Sequence, residues 1–191
     1  MATSTSVLRA QSSAVNLTSD FFLKNFYRDN RKAMKVSTRN EYNSTELSYE
    51  DSRALKRAAS KLSSFNYSED ENGDNIVSTI KAFAETYNNT LESSSSKDSE
   101  VYRQHKQLKA LTKKYGDKLE DLGITIKEDG KLSISDNILK SSTFDEIKEV
   151  FSDDSDYVTN LRKIAKRMHS TSYDEVYAMM TGCGGRLNIT L

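Results

Sequence analysis

The 191-residue sequence contains no proline, no tryptophan and a single cysteine. One thiol excludes a disulfide framework within the chain. Long apolar runs are missing too. No stretch of about 18 consecutive apolar residues occurs, so no membrane-spanning helix is expected. Neither sign of charge is in excess, with 28 basic and 28 acidic side chains. That balance argues against a globally basic nucleic-acid binder. Apolar residues make up only 36%, enough for one packed core but not for one spread over the whole chain. Met1 to Ser6 lack the basic start and apolar centre of a secretory signal, so export by the general secretory route is not expected.

What is abundant is small polar side chains: 27 Ser, 15 Thr and 13 Asn. These favour caps, turns and polar surfaces over helix interiors. Charge is balanced in sum but not along the chain. Residues 1–62 carry a net +5, 63–100 a net −6, 101–131 a net +3 and 132–191 a net −2. The alternation suits helices that attract one another in a bundle, copies that stack unlike ends, or ordinary solvated faces.

Hydrophobic spacing predicts helices along most of the chain. Residues 1–20 form a flexible arm with only Val7, Leu8, Val15 and Leu17 as spaced apolar positions. A helix capped by Ser19 or Asp20 presents Phe22, Leu23, Phe26, Tyr27 and Met34, and a polar stretch from Ser37 to Thr45 interrupts it. The next runs from about Ser48 to Phe65 with Leu55, Ala58, Ala59 and Leu62 inward. Another, about Asp74 to Glu92, carries the stripe Ile76, Ile80, Phe83, Ala84, Tyr87 and Leu91. After the serine run Ser93–Ser96, a helix from about Ser99 to Tyr115 places Val101, Leu108 and Leu111 on one seam, and the two read as an antiparallel pair. Then the period becomes two. Ile124 and Ile126, then Leu132 and Ile134, alternate with polar residues around Asp129-Gly130, which predicts a β-hairpin. Short helices follow, one after Ser135 and one after a Thr143/Glu146 capping box that precedes Ile147, Val150 and Phe151. Asp153, Asp154 or Ser155 caps a further helix to Met168. A Ser172/Glu175 capping box starts a last one that ends near Gly182. The expected fold is mainly α: an elongated antiparallel helical bundle with one small β-hairpin near residues 124–134. Its expected organisation is an arm (1–20), a helical domain (21–168) and a C-terminal helix with a tail (169–191).

Catalytic signals are sparse. His105 lies among polar neighbours and His169 ends a basic helical turn, where it suits a helix C-terminus better than chemistry. Cys183 sits in Gly182-Cys183-Gly184-Gly185 without a neighbouring base, which favours a bystander thiol or a contact between chains over a thiol enzyme. Aligning Gly73 with the glycine of an EF-hand loop puts Ser68 first and Thr79 last, so both essential acidic positions fail and the segment reads as an acidic turn. No catalytic residue, metal site or cofactor is expected. The basic stretch Lys24, Arg28, Arg31, Lys32, Lys35 and Arg39, beside Phe26 and Tyr27, is the alternative: a cytoplasmic helical adaptor touching nucleic acid through residues 24–39.

One ordered set of motifs is more specific. It comprises Phe83-Ala84-Glu85-Thr86-Tyr87-Asn88 on a helix, then Leu122-Gly123-Ile124, Asp129-Gly130-Lys131-Leu132 and finally Val150-Phe151. This order, over residues 73–168, resembles the C-terminal helical region of the flagellar filament-cap (hook-associated protein 2) family. The resemblance implies a structural protein of a bacterial flagellum, self-associating or binding flagellin-like subunits outside the cell. Residues 1–66 read as helical, so that family's inserted β-rich domains are not expected here. The residues expected to carry the architecture, as core or interface, are Ile80, Phe83, Tyr87, Leu108, Leu111, Ile124, Gly130, Leu132 and Phe151.

Overall fold

A computed structural model describes residues 39, 42–67 and 73–181. The N-terminal arm, the helix after Ser19, the basic stretch up to Lys35, the acidic segment 68–72 and Cys183 with its glycines lie outside the described residues. Compactness separates Met1–Tyr42 from Asn43–Leu191, and the fold that follows is that of the second unit. Among the described residues there are seven helices and two strands: α1 (Ser44–Ser63), α2 (Gly73–Ser93), α3 (Tyr102–Lys114), α4 (Gly116–Asp121), β1 (Ile124–Ile126), β2 (Leu132–Ile134), α5 (Asp136–Ser141), α6 (Phe144–Phe151) and α7 (Asp156–Thr181). The fold is mainly α with a single small hairpin. Among the described residues no helix is long and apolar enough to cross a membrane.

Local capping chemistry sets the helix starts. The Asn43 side chain accepts from the Glu46 N–H at 2.9 Å, and the Glu46 carboxylate accepts from the Asn43 N–H at 3.1 Å. This reciprocal box starts α1 four residues before the expected Ser48. Thr143 and Glu146 form the same box at α6, as the sequence predicts. Of the three candidates before α7, Ser155 is the cap: its Oγ accepts from the Tyr157 N–H at 3.2 Å.

α1 packs against both α7 and α2, and α3 packs along α7. All three pairings are antiparallel. In α1/α7 the Asn43 carboxamide donates to Met179 Sδ at 3.7 Å, the Tyr49 ring lies 4.8 Å from that of His169 at a 35° tilt, and the Ser52 hydroxyl meets that of Ser172 at 3.1 Å. Thr90 Oγ1 donates to the Asp51 carbonyl. Ser99 meets Glu175 at one end of α3, and Thr112 meets Tyr157 at the other. Opposed helices of this kind bury one apolar stripe each. The shared core includes Leu55, Ile80, Phe83, Tyr87, Leu108, Phe151, Tyr157, Leu161 and Met168. Phe151 stands edge-on to both Phe83 and Tyr157, at centroid distances of 5.8 and 6.1 Å. That geometry suits the positive ring edge against the negative face.

Two expectations change. The helix after Ser155 does not end at Met168, and the boundary drawn at 168/169 falls inside α7. Ser172 is fully buried in mid-helix, and its hydroxyl donates to the Met168 carbonyl at 2.8 Å. A serine can make this backward bond inside a helix, so it does not force a new start. The apolar stripe Leu161, Ala165, Met168 and Val176 runs straight through it. In addition, α3 begins at Tyr102 rather than Ser99, because Ser96–Val101 form successive turns.

Candidate functional site

The hairpin is fastened to the bundle by polar side chains of α2 and α3. In β1/β2 the register pairs Ile124 with Ile134 and Ile126 with Leu132. Lys127 N–H donates to the Lys131 carbonyl, and Ser135 N–H to that of Gly123. In an antiparallel ladder the alternate pairs then turn their backbone groups outward, which leaves Leu132 facing away from β1. Asn88 of α2 meets both of its groups: Nδ2 donates to the Leu132 carbonyl at 2.9 Å, and Oδ1 accepts from the Leu132 N–H at 2.7 Å. The carboxamide therefore closes this edge as a further strand would. Beside it, Lys131 reaches Glu92 at 3.0 Å. Across the turn, Lys109 of α3 donates to the Asp129 carbonyl at 2.8 Å. Its stem lies so close over Gly130 that a Cβ there would sit 2.4 Å from it. Gly130, at φ +89°, is favoured by the turn itself, whereas the flexible end of Lys109 could shift to make room for a Cβ.

The expected architectural residues are brought together around this fastening. Ile80, Phe83, Tyr87, Leu108, Ile124, Leu132 and Phe151 are buried, and Gly130 forms the hairpin turn. Leu111 is only half-buried, against the edge of the core. Two of the motifs quoted above touch, since Asn88 follows Tyr87 and grips Leu132. The sequence named Asn88 only within a motif and Glu175 only as a helix cap, and did not single out Lys109; none of their long-range partners was expected. Glu175 leaves the expected capping box and accepts from the Ser99 hydroxyl at 3.0 Å and the Glu100 N–H at 2.6 Å, which pins the turn before α3.

The titratable groups in the interior are held by packing. The Thr112 hydroxyl lies 3.4 Å from that of Tyr157. Burial pushes the Tyr87 phenol up to about 12 and raises that of Tyr157 as well, while Thr112 lowers each by less. His105 is buried, meets the Ser94 hydroxyl at 3.1 Å and stacks on Tyr102. Burial holds its pKa below the ordinary value, helped by the Lys109 charge. Burial also lowers His169, followed by Lys56, Arg53 and Arg57, with the Tyr49 backbone acting the other way.

Among the described residues no group of three His, Cys, Asp or Glu gathers around a metal-sized point. The surface has shallow grooves. One of about 600 Å³ runs between α3, α4 and β1, with Lys109, Lys113 and Lys127 mixed among Asp117, Glu120 and Glu128. Another of about 360 Å³ lies between α1 and α2, lined by Ala58, Phe65, Thr79 and Ala82. Among the described residues, the large apolar side chains left exposed are Ile138 and, on the last two turns of α7, Tyr177, Met179 and Met180. No protein-family model, curated protein or solved structure matches this chain.

Proposed function

We propose that this chain is an assembly module: a helical, non-catalytic protein that associates with copies of itself or with helices of a partner subunit. The observation that carries this reading is the end of α7, where Tyr177, Met179 and Met180 are 41%, 48% and 37% exposed. Tyr173 stacks on Tyr177 beside them, with planes 19° apart. Elsewhere on α7 the large apolar side chains are buried. Methionine is flexible and polarizable, and tyrosine brings a large ring with a polar tip. Both are enriched where protein surfaces meet. The resemblance to the filament-cap family adds a partner class, flagellin-like subunits, and a setting, the bacterial flagellum.

Static light scattering of the purified chain from micromolar to millimolar concentration tests this reading. The mass is expected to rise above that of a monomer with concentration. The triple substitution Tyr177→Ser, Met179→Ser, Met180→Ser is expected to return it to monomer. A strict monomer throughout, with no co-sedimentation on flagellin filaments, would overturn the proposal.

A further inference from the structure

Most surface helices intersperse the two charge signs, because i,i+4 partners of opposite sign stabilise and like ones repel. The paired middles of α1 and α7 do not. Between Ser52 and Tyr67 the chain has Arg53, Lys56, Arg57 and Lys61 and no acid. Between Tyr157 and Tyr173 it has Arg162, Lys163, Lys166 and Arg167, again without an acid. Every one of these except Arg53 is exposed. Four like-charged i,i+4 pairs result: Arg53–Arg57, Arg57–Lys61, Arg162–Lys166 and Lys163–Arg167. Each opposes folding unless an anion answers it. Arg162 has Asp153 at 2.6 Å and Arg53 has Glu50 at 3.6 Å.

The two basic segments lie about a hundred residues apart in sequence, and the antiparallel packing of α1 on α7 places them side by side. Tyr49, Arg53 and Lys56 share one face of α1 by their 4,3 spacing. Arg162, Lys166, His169 and Tyr173 share one face of α7 in the same way. The rings of Tyr49 and His169 lie 4.8 Å apart, so the two stripes adjoin. The His169 proton registers the resulting field, since Lys56, Arg53 and Arg57 all disfavour it.

The occupant follows from what the face lacks. It carries no large exposed apolar side chain, those of α7 being confined to its last two turns. Helices that lie in a membrane surface bury an apolar face there, and protein interfaces centre on apolar or aromatic anchors. A phosphate polymer needs neither. From Arg53 to Lys61, α1 spans about 12 Å. A duplex carries about seven phosphate charges over that length, which matches the density of cations here.

We propose that the α1/α7 face binds the phosphate backbone of a nucleic acid, without reading its bases. Fluorescence anisotropy with short labelled DNA and RNA, single- and double-stranded, tests this in the full chain. Binding is expected at low salt, falling between about 50 and 200 mM with a log–log slope near −4, as for about four or five phosphates. Lys56→Glu with Lys166→Glu should weaken binding at least about tenfold. Lys140→Glu with Lys148→Glu, an equal change in net charge on α5 and α6, should change it less than about twofold. If the charge reversal unfolds the chain, Lys56→Gln with Lys166→Gln should still reduce the slope by about two. No binding at low salt, or equal loss in the two reversal variants, would overturn the proposal. So would tighter binding to phosphatidylserine vesicles than to any oligonucleotide. Self-association that the Lys56/Lys166 variant abolishes without nucleic acid present would overturn it too, by making the occupant a second copy.

Discussion

Asn88 is a single side chain that satisfies two backbone groups, the N–H and C=O of Leu132. Replacing it with alanine leaves both unmet beside a buried leucine. The expected cost is about 2 kcal/mol, near 1 for each bond lost. Asn88→Asp keeps the acceptor but sets a carboxylate against the Leu132 carbonyl, so it should recover no more than half. Urea unfolding midpoints check this, and an Asn88→Ala midpoint equal to the parent would show that the edge is held some other way. The other residue-scale features differ in how visible they were. Phe83 and Tyr87 show in the sequence because burial repeats at helical spacing, and Gly130 because Asp-Gly marks a tight turn. Asn88 and Lys109 do not, because their partners lie 44 and 20 residues away. A polar side chain on a mostly buried stripe was the available signal at position 88.

At the scale of elements, the same four-residue pattern gives opposite results at two places. Thr143 and Glu146 cap α6 as the sequence predicts. Ser172 and Glu175 cap nothing of their own, since the helix already runs through them. The difference is tertiary: the seam against α1 keeps α7 helical past Met168, and the turn before α3 draws Glu175 away. Glu175→Gln therefore tests a long-range contact rather than a helix start. It removes the charge from the bonds to Ser99 and Glu100, and a loss of about 1 kcal/mol is expected, since charged acceptors bond more strongly than neutral ones. Hydrogen exchange should localise the loss to residues 99–104 of the α3 entry. Faster exchange confined to residues 170–181 would instead restore the capping reading.

At the scale of the whole molecule, the helical class and the hairpin were legible because each depends on local periodicity. The basic face was not, because it depends on which helices become neighbours. Two segments of four cations each are unremarkable alone, and the net charge of zero conceals them. The same folding step buries His105 and half-buries His169 against basic surroundings, with a consequence for stability. His105 and His169 are each held below the ordinary value of 6.5, first by burial and then by Lys109 in one case and by Lys56, Arg53 and Arg57 in the other. The unfolded chain takes up these two protons near the ordinary value, whereas the folded chain takes them up only at lower pH. Between those points the unfolded state binds more protons, so stability rises with pH there. The contribution is complete above about 6.5 and is lost as the pH falls through the folded values. Glu146 does not confuse the window, because its bonds to Thr143 hold it below the usual carboxylate range. Unfolding midpoints measured from about pH 7.5 down to about 5.5 should therefore fall, and the double variant His105→Gln, His169→Gln should flatten that decline. A decline of the same size in the double variant would place its cause on other groups, and a midpoint that rises on acidification would mean that both rings are held protonated rather than neutral.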